Sequence, residues 1–319
     1  MIKKIAVLTS GGDAPGMNAA VRAVIRSALA HGIEPYVVYN GYKGLIDDDV
    51  QLVDKKFTQD IINRGGTVIK SARLPEFKEV EYQKKAIETM KKHGIDALVG
   101  IGGDGTYKGL LALDKLGFPV IGLPGTIDND IASTDFTIGF DTALNTICDC
   151  VDKIKDTSSS HQRCSVIEVM GRYCGDLAIF SGIAEAAELT ITADHQIDEN
   201  LIFTKLKAMH DKDKSHAIVI VSEHLLDVFD FAKRIEQETG FETRAEVLGR
   251  LQRGGTPTAQ DRILASRLGA AAIDLLVNDI TGRVVGMKKN MVVDYPIKQA
   301  LNMERDVKKG LLRLIDMLA

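Results

Sequence analysis

Short apolar runs alternate with helical stretches through the first half of the chain, at 5–9, 36–39, 97–101 and 120–123. Near-continuous apolar runs are typical of parallel strands that are covered on both faces. Helical patterns over 17–31 and 80–93 lie between the runs. We therefore predict an α/β fold with a doubly wound, mainly parallel sheet, whose ligands bind at the carboxyl ends of the strands.

A second series of apolar runs follows at 164–170, 189–192, 217–221 and 245–248, again with helices between them. A chain of 319 residues is about twice the usual size of one domain. We therefore predict two Rossmann-like domains with ligand sites between them. The boundary is predicted near residue 139, before a helix around 141–155.

The composition excludes several classes of protein. Forty Lys and Arg against 44 Asp and Glu leave a net charge of −4, so no overall field draws the chain to nucleic acid or anionic lipid. No apolar run approaches the ~20 residues that span a bilayer. The four cysteines lack the paired spacing of a zinc site, and reduced thiols in a cytoplasmic protein are the favoured interpretation. We expect no nucleic acid and no membrane as partners.

The 29 glycines concentrate in loops that follow predicted strands. The loop 11–16 precedes a helix, where free N–H groups suit a phosphate, although a tight turn is the alternative. The loop 102–106 sets Asp104 among glycines. We interpret the match of 100–105 to G-x-G-x-x-G as accidental, because a carboxylate there repels pyrophosphate unless a cation intervenes. Asp104 is therefore predicted to bind Mg²⁺ beside phosphates.

Two carboxylates, Asp128 and Asp130, stand two residues apart in the loop 123–130. A carboxylate can accept the proton of an acceptor hydroxyl in phosphoryl transfer. The sequence Asp-Asn-Asp also suits a turn, because all three side chains cap backbone N–H groups. Asp104 on a neighbouring strand end favours the catalytic interpretation.

Arginines cluster at predicted strand ends and in glycine-rich loops. A single arginine is usually a solvated surface residue, but so many at ligand-facing positions indicate a polyanionic ligand held by bidentate contacts. The set is Arg73, Arg163, Arg172, Arg244, Arg250 and Arg253. Arg22 and Arg26 lie four residues apart on the first predicted helix, where a solvated helix face is the alternative.

Six segments together resemble the bacterial ATP-dependent 6-phosphofructokinase family, in order and over essentially the whole chain. They are GGDAPGMNA at 11–19, SARLPEF at 71–77, IGGDGT at 101–106, PGTIDND at 124–130, VMGRYCGDLA at 169–178 and LQRGG at 251–255. The resemblance implies that a cytoplasmic homotetramer transfers the ATP γ-phosphoryl group to the 1-hydroxyl of fructose 6-phosphate in glycolysis. It also implies an ATP-binding domain of residues 1–138 and 251–304 and a fructose 6-phosphate-binding domain of 139–250 and 305–319.

By resemblance Asp128 is the general base toward the sugar 1-hydroxyl, and Asp130, Thr126, Arg172 and Arg73 assist it. The implied ATP site comprises Gly12, Arg73, Leu74, Gly103, Asp104, Gly105 and Thr106, with Mg²⁺ on Asp104. The implied sugar phosphate site comprises Thr126, Ile127, Asp128, Met170, Gly171, Arg172, Glu223, Arg250, Leu251, Gln252 and Arg253. Arg163 and Arg244 are expected to reach in from a neighbouring subunit.

The resemblance further implies an allosteric site for ADP or phosphoenolpyruvate. Its residues are Arg22, Arg26, Lys55, Asp60, Lys155, Ala186, Glu188, Lys212, Lys214 and His216. The chain departs from the family's pattern here, with Asp213 for glycine, Ser215 for lysine, Ala186 for glycine, and lysines for arginines at 155 and 212. These changes add negative and remove positive charge, so we expect weakened control by anionic effectors. Arg250 stands where the family usually has histidine, so the contact to the sugar 6-phosphate would come from a longer, permanently charged side chain.

Three other functions are alternatives to an ATP-dependent 6-phosphofructokinase. Pyrophosphate-dependent relatives carry aspartate where Gly105 stands and lysine where Gly125 stands, so the two glycines favour ATP. A kinase for another acceptor also carries a GGDG loop, but the PGTIDND loop and the arginines argue against it. A non-catalytic nucleotide or sugar phosphate sensor is expected to lack Asp128 or Asp104, and both are present.

Overall fold

The computed structural model describes residues 2–195 and 198–318. In chain order its strands are β1 (Lys4–Thr9), β2 (Glu34–Val38), β3 (Val50–Leu52), β4 (Ala97–Gly102), β5 (Val120–Pro124), β6 (Cys164–Val169), β7 (Leu189–Ile191), β8 (Ala217–Ser222), β9 (Thr243–Val247), β10 (Arg283–Lys288) and β11 (Met291–Pro296). Its α-helices are α1 (Met17–Ala30), α2 (Tyr42–Asp47), α3 (Val80–Lys92), α4 (Asp104–Lys115), α5 (Phe140–His161), α6 (Asp176–Ala184), α7 (Glu199–His210), α8 (Val228–Thr239), α9 (Ala259–Val277), α10 (Ile297–Leu301) and α11 (Lys309–Leu318). Two 3₁₀ helices span Pro75–Lys78 and Gly249–Arg253.

The chain divides into two compact units, each with its own sheet. The first unit contains Met1–Ile127, Ile131–Thr142 and Arg253–Arg305. The second contains Asp128–Asp130, Ala143–Gln252 and Asp306–Ala319. The acidic loop, Asp128–Asp130, is therefore grouped with the second unit although the strand before it belongs to the first.

The boundary lies at Thr142 rather than at the predicted residue 138. The reason is that Thr142 is tied to α9 of the first unit, since its backbone N–H and its hydroxyl both donate to the Asp261 carboxylate, at 2.8 and 2.6 Å. The helix α5 therefore begins in the first unit and continues in the second. The chain re-enters the first unit at Arg253 rather than at the predicted residue 251. Gln252 still belongs to the second unit, because its side chain accepts a 3.0 Å hydrogen bond from the Met170 N–H there.

The first unit is built on a seven-stranded sheet in the order β11-β10-β5-β4-β1-β2-β3. Its centre is parallel, while β3 and β11 pair antiparallel with their neighbours. The four apolar runs predicted as strands form β1, β2, β4 and β5. Three further strands were not predicted. β3 is only three residues long and β11 is largely exposed, so neither shows a buried apolar run, whereas the buried run of β10 at 284–287 was missed.

The second unit has a four-stranded sheet, all parallel, in the order β7-β8-β6-β9. The cores of both sheets are filled by side chains that are almost fully buried, such as Leu98 in β4 and Val219 in β8. This architecture confirms the predicted α/β class with two mainly parallel sheets. Among the residues that the structure describes, no helix is long and apolar enough to cross a membrane.

Candidate active site

Two glycine loops are bound to each other at the carboxyl ends of β1 and β4. The Ser10 N–H donates to the Ile101 carbonyl at 3.0 Å, and the Thr106 hydroxyl donates to the Ser10 carbonyl at 3.2 Å. Gly102 lies at this junction, where a Cβ would stand 2.2 Å from the Thr106 hydroxyl and 2.4 Å from the Ser10 carbonyl. Only glycine fits that close approach, so the contact between the two loops depends on Gly102.

A cavity of about 440 Å³ opens beside the first glycine loop. Its lining comprises Gly11, Gly12, Asp13, Thr67, Lys70, Ser71, Ala72, Arg73 and Arg253. The Ser71 hydroxyl donates to the Gly11 carbonyl at 2.8 Å, which places the segment 71–73 against the loop. The structure thus brings together Gly12 and Arg73, which were both predicted for the nucleotide. Three cations against one carboxylate give this cavity a net positive charge.

Arg253 was predicted for the sugar phosphate, but the structure places it on this cavity. Its Nη1 lies 3.8 Å from the Asp13 carboxylate, and a Cβ at Gly12 would stand 3.0 Å from the same nitrogen. The missing side chain at Gly12 therefore leaves the room that the guanidinium occupies. Lys70 lines the same cavity and was missed, because a lone lysine in a loop carries no motif signal.

Asp104 and Gly105 are exposed at the amino-terminal end of α4. Apart from its chain neighbours and the backbone of its own helix, no atom of the described residues lies within 4 Å of the position that a Cβ at Gly105 would take. An exposed carboxylate with open space beside it, at a helix start with free N–H groups, fits a magnesium ion shared with phosphate oxygens. Within residues 2–195 and 198–318 no group of three His, Cys, Asp or Glu side chains is arranged to hold a metal ion.

Thr126 lies beside the second glycine loop within the first unit. A Cβ at Gly103 would stand 3.9 Å from the Thr126 Cβ. The Thr126 N–H donates to the Ile138 carbonyl at 3.1 Å, and its own carbonyl accepts from the Thr137 hydroxyl at 2.6 Å. Thr126 is therefore fixed at the end of β5, next to the predicted phosphate loop.

Gly125 lies in close-packed surroundings. A Cβ there would stand 2.8 Å from the terminal methyl of Met17 and 3.0 Å from Ile101. A side chain at Gly125 therefore requires the flexible end of Met17 to shift, whereas the space at Gly105 is open.

The acidic loop is anchored inside the second unit. Asp128 and Asp130 are half-buried, and Asn129 between them is 5% exposed. The Asn129 side-chain amide donates to the Asp176 carboxylate at 2.7 Å, and the Cys174 thiol lies 3.6 Å from the Asn129 carbonyl. The segment after β6 thus holds the loop that carries the predicted general base.

Three loops of the second unit meet at the carboxyl ends of β6 and β8. The Arg172 N–H donates to the Glu223 carboxylate at 2.7 Å, and the Glu223 N–H donates to the Val169 carbonyl at 2.9 Å. The Gln252 side chain, which is fully buried, accepts from the Met170 N–H at 3.0 Å. Met170, Arg172, Glu223 and Gln252 are thereby brought together as predicted for the sugar phosphate.

Backbone geometry shapes this cluster further. Gly171 has a φ of 127°, and a Cβ there would stand 2.5 Å from the Cys174 carbonyl. Arg172 has a φ of 57° and an exposed side chain. A left-handed conformation is rare for residues other than glycine and asparagine. Arg250 and Leu251 of the following 3₁₀ helix are also exposed, Leu251 by 65%.

Arg163 and Arg244 lie at the opposite end of the sheet. Arg163 directly precedes β6, and Arg244 stands near the beginning of β9. Both donate to Glu242, at 2.8 Å from Arg163 Nη2 and 2.6 Å from Arg244 Nη2, and the hydrogen bond from Arg163 is the main cause that lowers the pKa of Glu242. The length of β6, roughly 20 Å at about 3.3 Å per residue, separates them from Arg172. The expectation that all the arginines lie at ligand-facing strand ends is therefore wrong for these two.

Two predicted residues of the first unit are enclosed by apolar side chains. Leu74 is partly buried and packs against the hydrophobic core around Tyr42 and Phe77. Ile127 is 2% exposed at the end of the β5 loop. Both hold the backbone of their loops in place.

The predicted effector residues fall into one group in each unit. In the first unit Arg26 donates to the Thr58 hydroxyl, which donates to the Lys55 carbonyl at 2.8 Å, while Arg22 is half-buried on α1 and Asp60 has a φ of 57°. In the second unit a cavity of about 340 Å³ is lined by Glu188, Lys205, Ala208, Met209, Lys212 and Lys214. Lys205 of α7 is an additional cation that the motif comparison did not find.

Two of these cations are held by glutamates of their own unit. Lys155 Nζ lies 2.6 Å from Glu185, and Lys214 Nζ lies 2.6 Å from Glu188. Ala186 adopts a φ of 48°, which favours glycine. His216 contacts the neighbouring Ser215 hydroxyl at 3.1 Å. In the lysine-rich cavity lined by Lys205, Lys212 and Lys214, Glu188 therefore offsets part of the positive charge.

Comparison with known proteins extends over the whole chain. A sequence model of the phosphofructokinase family matches residues 4–276. The curated ATP-dependent 6-phosphofructokinase of Teredinibacter turnerae is 55% identical over 320 residues, and that of Photobacterium profundum is 54% identical over 319, each with 100% of both chains covered.

Solved structures agree with this result. Phosphofructokinase from Saccharomyces cerevisiae superposes with a TM-score of 0.87 at 34% identity, covering 99% of this chain and 47% of the yeast chain, so this chain spans about half of that one. A pyrophosphate-dependent phosphofructokinase from Marinobacter aquaeolei superposes with a TM-score of 0.86 at 21% identity over 97% of this chain, which shows the shared fold. The glycine loops, the acidic loop and these matches together place the chain in the phosphofructokinase family.

Proposed function

We propose that this protein is an ATP-dependent 6-phosphofructokinase, which transfers the γ-phosphoryl group of ATP to the 1-hydroxyl of fructose 6-phosphate and releases ADP and fructose 1,6-bisphosphate. The observation that carries the proposal is the full-length identity of 55% to a curated relative of that name. The open space beside Gly105 is consistent with a bulky nucleotide donor.

The first unit supplies the donor site. The N–H groups at the start of α4 and in the two glycine loops bind anionic oxygens of the nucleotide, and Arg73 and Arg253 add full positive charges on the cavity beside the first glycine loop. Arg73 also assists transfer, because a guanidinium aimed at the transferring group stabilises the charge that develops there. Thr126 contacts the transferring phosphoryl group from its place beside Gly103.

Asp104 holds Mg²⁺ together with phosphate oxygens of the nucleotide. When bound, the ion neutralises the charge on the β- and γ-phosphates. The exposed Asp104 carboxylate leaves room for the remaining ligands, which suits an ion that keeps several waters.

Asp128 accepts the proton of the sugar 1-hydroxyl. As the 1-oxygen bonds to the γ-phosphorus, the bond from that phosphorus to the bridging oxygen breaks and the electron pair leaves with ADP. Asp130 supports Asp128, and Arg172 of the same unit stabilises the negative charge of the moving group. The protein's contribution to such a reaction is positioning and electrostatic stabilisation.

The second unit binds the sugar phosphate through the cluster at the ends of β6 and β8. Its members are Met170, Gly171, Arg172, Glu223, Arg250, Leu251 and Gln252, with Arg163 and Arg244 contributed by a neighbouring subunit of a homotetramer. The location of these two arginines supports the shared site, since they stand a full strand length from Arg172 in their own chain. Arg250 adds a permanent charge that suits the 6-phosphate.

The lysine-rich cavity is an effector site for ADP or phosphoenolpyruvate with weakened control. Glu188, which lines this cavity, already pairs with Lys214, so an incoming anion competes with an internal carboxylate. Fructose 6-phosphate saturation curves with and without each effector test this. A shift of half-saturation below about twofold is expected, and a shift of more than about tenfold contradicts it.

The cysteines support a cytoplasmic location. None of the four forms a disulfide, and burial raises the pKa of Cys148 and Cys164 to about 12. Thiols of this kind are inert structural groups in a reducing compartment.

The function is tested by ³¹P NMR of the products. Incubation with ATP, Mg²⁺ and fructose 6-phosphate is expected to yield ADP and a second phosphomonoester on the sugar, and removal of the divalent ion with a chelator is expected to stop the reaction. ATP hydrolysis without sugar phosphorylation would reject the proposal.

A further inference from the structure

The Asp176 carboxylate connects the acidic loop to the C-terminal segment of the second unit. Asp176 begins α6 and is 1% exposed. Its Oδ2 accepts the 2.7 Å hydrogen bond from the Asn129 amide and also a hydrogen bond from the Lys308 ammonium group. One oxygen atom thus receives a donor from the acidic loop and a donor from the segment that leads into α11.

A carboxylate buried to this degree needs compensation by a counter-charge. Lys308 supplies that charge and is itself held by its surroundings, because its Nζ lies 5.1 Å above the centre of the Phe180 ring. If Lys308 is removed, the carboxylate loses this donor and recruits water or turns away. Each of these responses changes the acceptor that the Asn129 amide meets.

Asn129 fixes the acidic loop through two contacts, one from its side chain and one from its carbonyl. Its side chain is bound to Asp176, its carbonyl faces the Cys174 thiol at 3.6 Å, and its φ of 53° is left-handed. Asn129 is covalently joined to Asp128 on one side and Asp130 on the other. The position of Asn129 therefore sets the backbone positions from which both acidic side chains extend.

We propose that Asp176 and Lys308 are positioning residues for phosphoryl transfer, which orient the acidic loop through Asn129. The C-terminal segment 306–318 thereby contributes to turnover without contacting a substrate. The inference rests on the proposed function, because its effect is read in the rate of that reaction.

The test compares Lys308→Met with Lys309→Met in the full chain. Both changes remove one lysine charge at neighbouring positions, but Lys309 is exposed and forms no ion pair within the described residues. We expect Lys308→Met to lower kcat by roughly ten- to a hundredfold, as small misplacements of a reacting group do, while the KM for fructose 6-phosphate changes by less than about threefold. Lys309→Met is expected to retain the wild-type kcat, and Lys308→Arg is expected to recover most of it.

Two outcomes overturn the inference. One is a folded Lys308→Met protein with the kcat of the wild type. The other is a parallel fall of kcat, fructose 6-phosphate binding and melting temperature without rescue by Lys308→Arg, which indicates a structural role only. If Lys308→Met does not fold, the double variant Lys308→Met/Asp176→Asn removes both charges together, and the same separation of kcat from KM is required of it. An inactive wild-type protein contradicts the proposed function instead, so the two failures are distinguishable.

Discussion

The side-chain amide of Asn129 donates a 2.7 Å hydrogen bond to Asp176, which lies 47 residues further along the chain. This bond joins the acidic loop to the start of α6, directly after the segment that contains Arg172. The proposed general base and the sugar phosphate cluster therefore belong to one compact unit. Thr126, only two residues before Asp128, is bound instead within the first unit beside Gly103.

Replacing the Asp128 carboxylate should separate catalysis from binding. We expect Asp128→Ala to lower kcat by about a hundred- to ten-thousandfold, which is the usual contribution of a general base. Fructose 6-phosphate affinity, measured by calorimetry without ATP, should change little because Met170, Arg172 and Glu223 remain. Asp149→Ala, which removes an exposed carboxylate of α5, is the matched control. A comparable loss in the control, or none in Asp128→Ala, contradicts the assignment.

A carboxylate placed at Gly105 should impair the use of ATP without unfolding the protein. The space around Gly105 is open, and an acid in the first turn of α4 is favourable toward the helix dipole. The new charge meets the nucleotide phosphates, so Gly105→Asp should raise the KM for ATP by at least about tenfold. Gly310→Asp is a matched control, since Gly310 is also the second residue of a helix with open space around it. Unchanged ATP kinetics in Gly105→Asp would remove the steric and electrostatic argument for donor choice.

Sharing of arginines between subunits predicts complementation. Arg172→Ala and Arg163→Ala should each be nearly inactive as homotetramers, because each lacks a cation for the sugar phosphate. When the two proteins are dissociated and reassociated together, some sites combine an intact Arg172 with an intact Arg163 from the neighbouring subunit. Mixed tetramers should regain activity that neither parent has. Absence of recovery, with mixed assembly verified by mass spectrometry, would place both arginines in the same chain's site.

Asp261 predicts a specific dependence of stability on pH. Burial is the main cause that raises its pKa to about 6, although Thr142 and Gly139 donate hydrogen bonds to the carboxylate. The folded state therefore holds the proton more tightly than the unfolded state does. Protonated Asp261 therefore contributes at most ~3 kcal/mol to the free energy of unfolding. This contribution is fully present below about pH 4 and is lost as the pH rises through about 6.

Urea denaturation of the wild type and Asp261→Asn, from about pH 4.5 to about pH 8, measures this effect. The free energy of unfolding of the wild type relative to the variant should fall as the pH rises. A difference that is constant, or that grows with pH, would show that Asp261 remains ionised throughout.

The central strands and the glycine loops could be predicted from sequence because each is encoded locally. The strands β1, β4 and β5 are continuous apolar runs, and the loops after β1 and β4 are bounded by glycines. The edge strand β3 is short and the edge strand β11 is largely exposed, and both form through pairing with a neighbouring strand. No local sequence pattern therefore predicts them.

Contacts between residues that are far apart in the chain could not be predicted from local sequence patterns. Arg253 occupies the space that Gly12 leaves open, and nothing in either motif indicates that these residues meet. The connection from Lys308 through Asp176 to Asn129 is of the same kind. The position of Arg163, in contrast, follows from its place immediately before the apolar run 164–170, which puts it at the amino end of the strand.

The use of ATP as the phosphoryl donor is tested by the rate at which the wild-type protein forms fructose 1,6-bisphosphate. This rate is measured with ATP and separately with pyrophosphate, at saturating fructose 6-phosphate and Mg²⁺. We expect rapid product formation with ATP and at least about a hundredfold lower kcat/KM with pyrophosphate. Equal or faster reaction with pyrophosphate would contradict it.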